Sequence, residues 1–129
     1  MKDKYILDSS IWIEIERGNE AIREKTLPFI QQNQVCLVDV IVAELLRGTH
    51  AQTDFDRLHA AFSNFVQLQT SWDKVAQFGF DVAKAGFYPP LVDLYIAHCA
   101  IDHGKSVITQ DKHFMQISKV RSFEVVLLK

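Results

Sequence analysis

Residues 4–8, Lys4-Tyr5-Ile6-Leu7-Asp8, form a short apolar run that stops on a carboxylate. A strand with one wet face alternates apolar and polar residues, whereas a strand covered on both faces is apolar throughout. The run at 4–7 is therefore expected to be a strand inside a parallel sheet. Residues 35–38 (Val-Cys-Leu-Val) and 106–109 (Ser-Val-Ile-Thr) have the same form. A weak strand near 66–68 and a last one at 123–128 complete the set.

Helical patterns lie between these runs. The first is expected over 10–17 and ends at Gly18. The second covers 19–32, where Pro28 predicts a kink or a shifted start. Asp39 is expected to cap a helix over 40–47 that Gly48 stops. A helix over 53–65 follows. Ser71 is the expected N-cap of the clearest helix, whose stripe is Trp72, Val75, Ala76, Gly79, Val82, Ala83 and Gly86. After Pro89-Pro90, residues 91–102 are apolar nearly all round, so that helix is buried. Gly104 ends it, and a short helical turn covers 111–115. Strands and helices alternate, which predicts an α/β fold with a central parallel sheet between two helical layers, in one domain over 1–129.

The chain has 129 residues, enough for a single core. Fourteen basic against sixteen acidic residues leave a formal charge of −2, which excludes nucleic-acid binding through a broad basic surface. A local patch or a metal must offset phosphate repulsion if the partner is a nucleic acid. Cys36 and Cys99 lie in apolar stretches and form no close pair, as expected of reduced core residues in a cytoplasmic protein. Asp8, Glu14 and Glu16 break the apolar run of a signal peptide, and no stretch is expected to span a membrane.

Four carboxylates stand where the chain is otherwise most apolar. Asp8 ends the first run, Glu44 interrupts Val40-Ile41-Val42-Ala43 and Leu45-Leu46, Asp93 divides Leu91-Val92 from Leu94-Tyr95-Ile96-Ala97, and Asp111 follows Val107-Ile108-Thr109. Burying one unpaired carboxylate is costly or forces it to take up a proton. Oxygen ligands gathered in one pocket suit a hard divalent cation, Mg2+ with Mn2+ as its substitute. Sites in open parallel sheets form at the carboxyl ends of the strands. Asp8 and Asp111 follow strands, and Glu44 and Asp93 sit near helix starts that face the same edge, so all four are expected on one rim. Each also has a plainer reading. Asp8 or Ser10 can cap the first helix, Asp93 can serve the helix dipole, Asp111 can cap the next turn, and Glu44 can pair with Arg47. The four together favour a shared site.

The segments ILDSSIWIE, VAELLRG, LVDLYIAHCA and VITQDKHF resemble, in order, the four acidic motifs of PIN domains. The likeness is greatest to VapC-type toxins of bacterial toxin–antitoxin pairs, and it runs from Tyr5 to Phe114. It implies a PIN-like fold and a metal-dependent ribonuclease that leaves 5′-phosphate and 3′-hydroxyl ends, blocked by a small cognate antitoxin. Asp8, Glu44, Asp93 and Asp111 fall on the family's four acids as catalytic and metal-binding residues. Ser10 and Thr109 fall on its small polar positions, which orient a carboxylate or hold a water beside the metal. Glu44 or Asp111 would be the general base.

Two departures stand out. Ala97-His98-Cys99 replaces a pair of small residues, and His98 reads as an interior or partner-facing histidine. Lys112-His113 occupies the place of a fifth acid, which puts a second full metal site in doubt. His113 there reads as a surface residue, with a phosphate contact as the alternative. Other classes fit worse. A haloacid-dehalogenase phosphatase needs an Asp where Ser10 stands, and a receiver domain needs an acidic pair at the first strand. A non-catalytic PIN-like module that only binds partners is the main alternative. The helices at 11–15 and 19–32 carry Trp12, Ile15 and Phe29, more apolar side chains than one small face can bury, so they are the expected antitoxin surface. A homodimer is also expected.

Overall fold

The computed structural model describes residues 3–128. Five strands form one parallel sheet: β1 (Tyr5–Leu7), β2 (Val35–Val38), β3 (Gln67–Leu68), β4 (Ser106–Thr109) and β5 (Val125–Leu127). Their order is β3-β2-β1-β4-β5. Tyr5 lies opposite Val35 on one side of β1 and opposite Ser106 on the other. Every residue of β2 and β4 is buried, as their two-sided apolar runs require.

Helices α1 (Ser9–Glu16) and α2 (Glu20–Gln31) connect β1 to β2, and α3 (Asp39–Arg47) and α4 (Gln52–Phe62) connect β2 to β3. α5 (Trp72–Lys84) and α6 (Leu91–His103) carry the chain back across the sheet to β4, and α7 (His113–Ser118) leads to β5. Right-handed crossovers place α1–α4 over one face and α5–α7 over the other. Most helix contacts follow this division: α1 contacts α2 and α3, α3 contacts α4, and α6 contacts α5 and α7, while α3 also touches α6. The result is the expected three-layer α/β/α arrangement.

Local chemistry explains most boundaries. Asp8, Asn19 and Ser71 cap α1, α2 and α5 by accepting the backbone N–H groups of Ile11, Ile22 and Lys74. Residues Leu94 to Ala100 of α6 are all buried, so this helix is covered all round. It ends at Gly104, whose φ of +65° suits glycine. Gly79 lets α5 approach α6 closely, since a Cβ there would lie 3.1 Å from Leu94 Cδ1. No helix among the described residues is long and apolar enough to cross a membrane.

The structure departs from the sequence reading in several places. α2 runs through Pro28 without ending. Pro28 lies in its last turn on an exposed face, where the unpaired carbonyl one turn back can meet water. Asp39 is the first residue of α3 rather than its cap; Val38 holds the cap position and makes no side-chain hydrogen bond. α4 stops at Phe62, because Phe65 leaves the helix to pack edge-on against Trp12. α7 starts at His113, not at 111.

Trp12 belongs to the core and is only 5% exposed, with Phe62 and Phe65 in edge-to-face contact at 5.4 and 5.8 Å. Its indole N–H has no hydrogen-bond partner among the described residues. The apolar docking face expected from Trp12, Ile15 and Phe29 is therefore corrected. Ile15 and Phe29 are half-buried against the core, and the exposed apolar side chains on these helices are Ile13 and Leu27.

Candidate metal centre

β1 sits where the sheet divides, with β2 on one side and β4 on the other. A crevice at the carboxyl end of such a division is where α/β sheets place their sites. Asp8 stands there directly after β1, and Asp111 two residues beyond β4.

Asp8 is 4% exposed and fully engaged. Its Oδ1 accepts from Ser10 Oγ at 2.6 Å and from the Ile11 N–H at 3.3 Å. Its Oδ2 accepts from Thr109 Oγ1 at 2.6 Å. Thr109 Oγ1 in turn accepts the Asp111 N–H at 2.8 Å, and Ser10 Oγ accepts the Gln110 N–H at 3.4 Å. Two hydroxyls thus fasten the end of β1 to the loop after β4. Burial pushes the Asp8 carboxyl above its ordinary pKa; the Ser10, Thr109 and Ile11 donors pull it back, and the charge of Asp111 adds to the rise.

Asp93, in the first turn of α6, is half-buried. Its pKa is also raised by burial. His113 opposes the rise, and the charges of Asp111 and Asp8 add to it. Asp8, Asp93 and Asp111 therefore share one field. No Lys or Arg pairs with any of them among the described residues. The facing group is His113, whose Nδ1 lies 3.4 Å from Asp93 Oδ2 and 3.3 Å from Asp111 Oδ1. Its backbone N–H also donates to Asp111 Oδ1, at 2.9 Å. One ligand atom each of Asp93, Asp111 and His113 lie within 4.8 Å of one another.

Glu44 stands beside this cluster without joining that trio. Its Oε1 accepts from Ser9 Oγ at 3.0 Å, and Ser9 is the chain neighbour of Asp8. Glu44 makes no ion pair with Arg47 among the described residues. Both line a groove of about 680 Å³ that Ile13, Arg17 and Arg57 also border. The structure thus gathers Asp8, Asp93 and Asp111 with Ser10 and Thr109, and sets Glu44 at the edge.

The plainer readings hold for part of this set. Asp8 does cap α1, and Asp111 does turn the chain into α7. Capping leaves unexplained why three carboxylates gather in one crevice with one imidazole facing two of them. A donor set so short of positive charge fits a divalent cation. His113 is the residue that sequence reasoning undervalued. An Asp two residues before it, just past the end of a strand, is the signal: an Asx turn folds residue i+2 back toward the carboxylate. His98 matches its reading as an interior histidine, 5% exposed and 3.0 Å from Thr70 Oγ1, which donates to Asp102.

The PIN domain family model matches residues 5–120. Among solved structures, FitAcB from Neisseria gonorrhoeae is similar, with 22% identity and a TM-score of 0.71 over 95% of this chain and 96% of that one. VapBC2 from Rickettsia felis, bound to a DNA fragment from its promoter, has 14% identity and a TM-score of 0.76 over 97% and 98%. VapBC-1 from nontypeable Haemophilus influenzae has 18% identity and a TM-score of 0.74 over 95% and 96%. No curated protein matches the sequence.

Proposed function

The chain belongs to the PIN domain family, and from that premise we propose that it is a metal-dependent ribonuclease, the toxin of a toxin–antitoxin pair, built as one PIN domain over 1–129. The observation that carries the reading is the crevice that gathers Asp8, Asp93 and Asp111, where among the described residues no Lys or Arg pairs with them.

Asp93 and Asp111 present oxygens toward a common point, and Asp8 stands behind them as a buried charge locked by Ser10 and Thr109. Together with Glu44 they are the residues to hold Mg2+ or Mn2+. Bound there, the cation supplies Lewis acidity toward a phosphodiester and acidifies water. Thr109 keeps Asp8 and Asp111 in register through one hydroxyl, so the two carboxylates need no reorganisation as charge develops. General-base duty falls to a carboxylate with an oxygen left unclaimed. Glu44, whose Oε2 has no partner among the described residues, and Asp111 are the two candidates.

RNA is the proposed substrate, with the exposed Arg47 at the mouth of the Glu44 groove positioned to meet a phosphate. A small antitoxin is the proposed partner, neutralising the acids with an Arg or Lys of its own. The exposed Ile13 in the same groove offers it an apolar contact. Likeness to structures of FitAcB and VapBC complexes supports this assignment. A homodimer and a cytoplasmic setting, consistent with two free buried cysteines, complete the proposal.

The experiment is direct. Protein freed of any co-purifying partner is expected to cut structured RNA in Mg2+ or Mn2+ and to stop in EDTA. Undiminished cleavage in EDTA overturns the metal mechanism, and no cleavage of any RNA pool in either metal overturns the nuclease reading. Co-purification with the product of the neighbouring gene checks the antitoxin.

A further inference from the structure

The trio at the crevice mouth differs from an all-oxygen site. Two ligands of one ion with bonds of about 2.1 Å lie about 3.0 Å apart when adjacent and about 4.2 Å apart when opposite. His113 Nδ1 lies 3.3 Å from Asp111 Oδ1 and 3.4 Å from Asp93 Oδ2, within that span. The imidazole reaches this place because the Asp111 carboxylate accepts the His113 backbone N–H and so turns the residue inward. The Phe87 ring lies tilted against the imidazole, centroids 6.0 Å apart. The histidine is 44% exposed, so packing does not force it against the carboxylates.

We infer that His113 is a direct nitrogen ligand of the active-site cation, and that it biases the site toward Mn2+ over Mg2+. This rests on the metal-dependent reading above and sharpens it. Mg2+ demands a near-ideal oxygen octahedron and gives up its waters reluctantly, whereas Mn2+, though also suited to carboxylates, is larger and takes one imidazole among them at less cost. Replacing one carboxylate by an imidazole also removes a negative charge, which weakens the purely electrostatic hold on Mg2+ more than the hold on an ion that bonds to nitrogen. The competing account is that His113 merely pairs with the acids when no metal is present and leaves when one binds.

The test uses tag-free full-length protein and a readout other than activity. Electron spin-echo spectra of the Mn2+-loaded wild type are expected to show modulation from a directly bound nitrogen. His113→Asp is expected to abolish that modulation while Mn2+ stays bound. In calorimetry the same variant is expected to lower the preference for Mn2+ over Mg2+ by about tenfold. Bound Mn2+ without nitrogen modulation, or modulation that survives in His113→Asp, overturns the inference and leaves the metal-dependent reading intact. Failure of the wild type to bind either ion, or unchanged binding in Asp93→Asn, overturns both.

Discussion

Asp93→Asn is expected to lower RNA cleavage on the order of 10³-fold and, in the same protein, to raise the melting temperature measured in EDTA. The two effects have one cause. Without metal, Asp93 must hold its charge half-buried and beside Asp111 and Asp8, which is why its pKa lies above the ordinary value. Because the folded-state pKa is raised, the charged form of Asp93 destabilises the fold. The penalty is fully present above the folded pKa, fades as pH falls through it, and is absent below the unfolded value near 3.9. Asn carries no such penalty at any pH. Relief of about 1 kcal/mol corresponds to about 4 °C for a chain of this size. The gap between variant and wild type should therefore be widest at neutral pH and close on acidification. Adding Mg2+ at about a hundred times its dissociation constant should stabilise the wild type by about 2.7 kcal/mol and the variant far less. Thermal melts of both proteins, with EDTA and with Mg2+, from neutral pH to about pH 4 read all of this. If Asp93→Asn melts lower in EDTA and Mg2+ shifts neither protein, Asp93 is a helix-stabilising acid and nothing more.

Thr109→Val should destabilise the fold more than any surface change. Valine keeps the shape of this fully buried residue but deletes its hydroxyl. Asp8 then loses one of its 2.6 Å donors and the Asp111 N–H loses its acceptor. A hydrogen bond to a charged group together with a stranded donor is worth about 2–4 kcal/mol, a drop of about 8–16 °C. Thr109→Ser keeps both bonds and should lose only a methyl group, about 1 kcal/mol. A Thr109→Val melt within a degree or two of wild type would show that the hydroxyl bridge does not hold the crevice together.

The sheet was legible from residues because its strands are short, apolar throughout and separated by capped helices. Ser71 and Gly104 mark their helix ends for reasons that are local to the chain, and the structure agrees. Asp39 misled because the helix begins on it rather than after it, and Pro28 because its exposed face in the last turn lets water take the carbonyl it leaves unpaired. Trp12 misled for another reason. An aromatic residue on a short amphipathic helix can face a partner or its own core, and only the placement of Phe62 and Phe65, some fifty residues later, decides which. The clustering of Asp8, Asp93 and Asp111 followed from the rule that sites form at strand ends. The exclusion of Glu44 from the trio, and the entry of His113, depend on side-chain directions that periodicity does not encode.

The hydroxyl bridge also sets a clock. Asp8 is joined to Thr109 across 101 positions of sequence. A ribosome adding about 5–20 residues per second needs about 5–20 s to travel that distance. During that interval Glu44 and Asp93 are added, but the Thr109 hydroxyl that locks Asp8 and the Asp111 that follows it are not yet made. The crevice comes into being only when β4 pairs with β1. A chain cut short before residue 106 lacks β4, Thr109 and Asp111, and so carries no assembled centre.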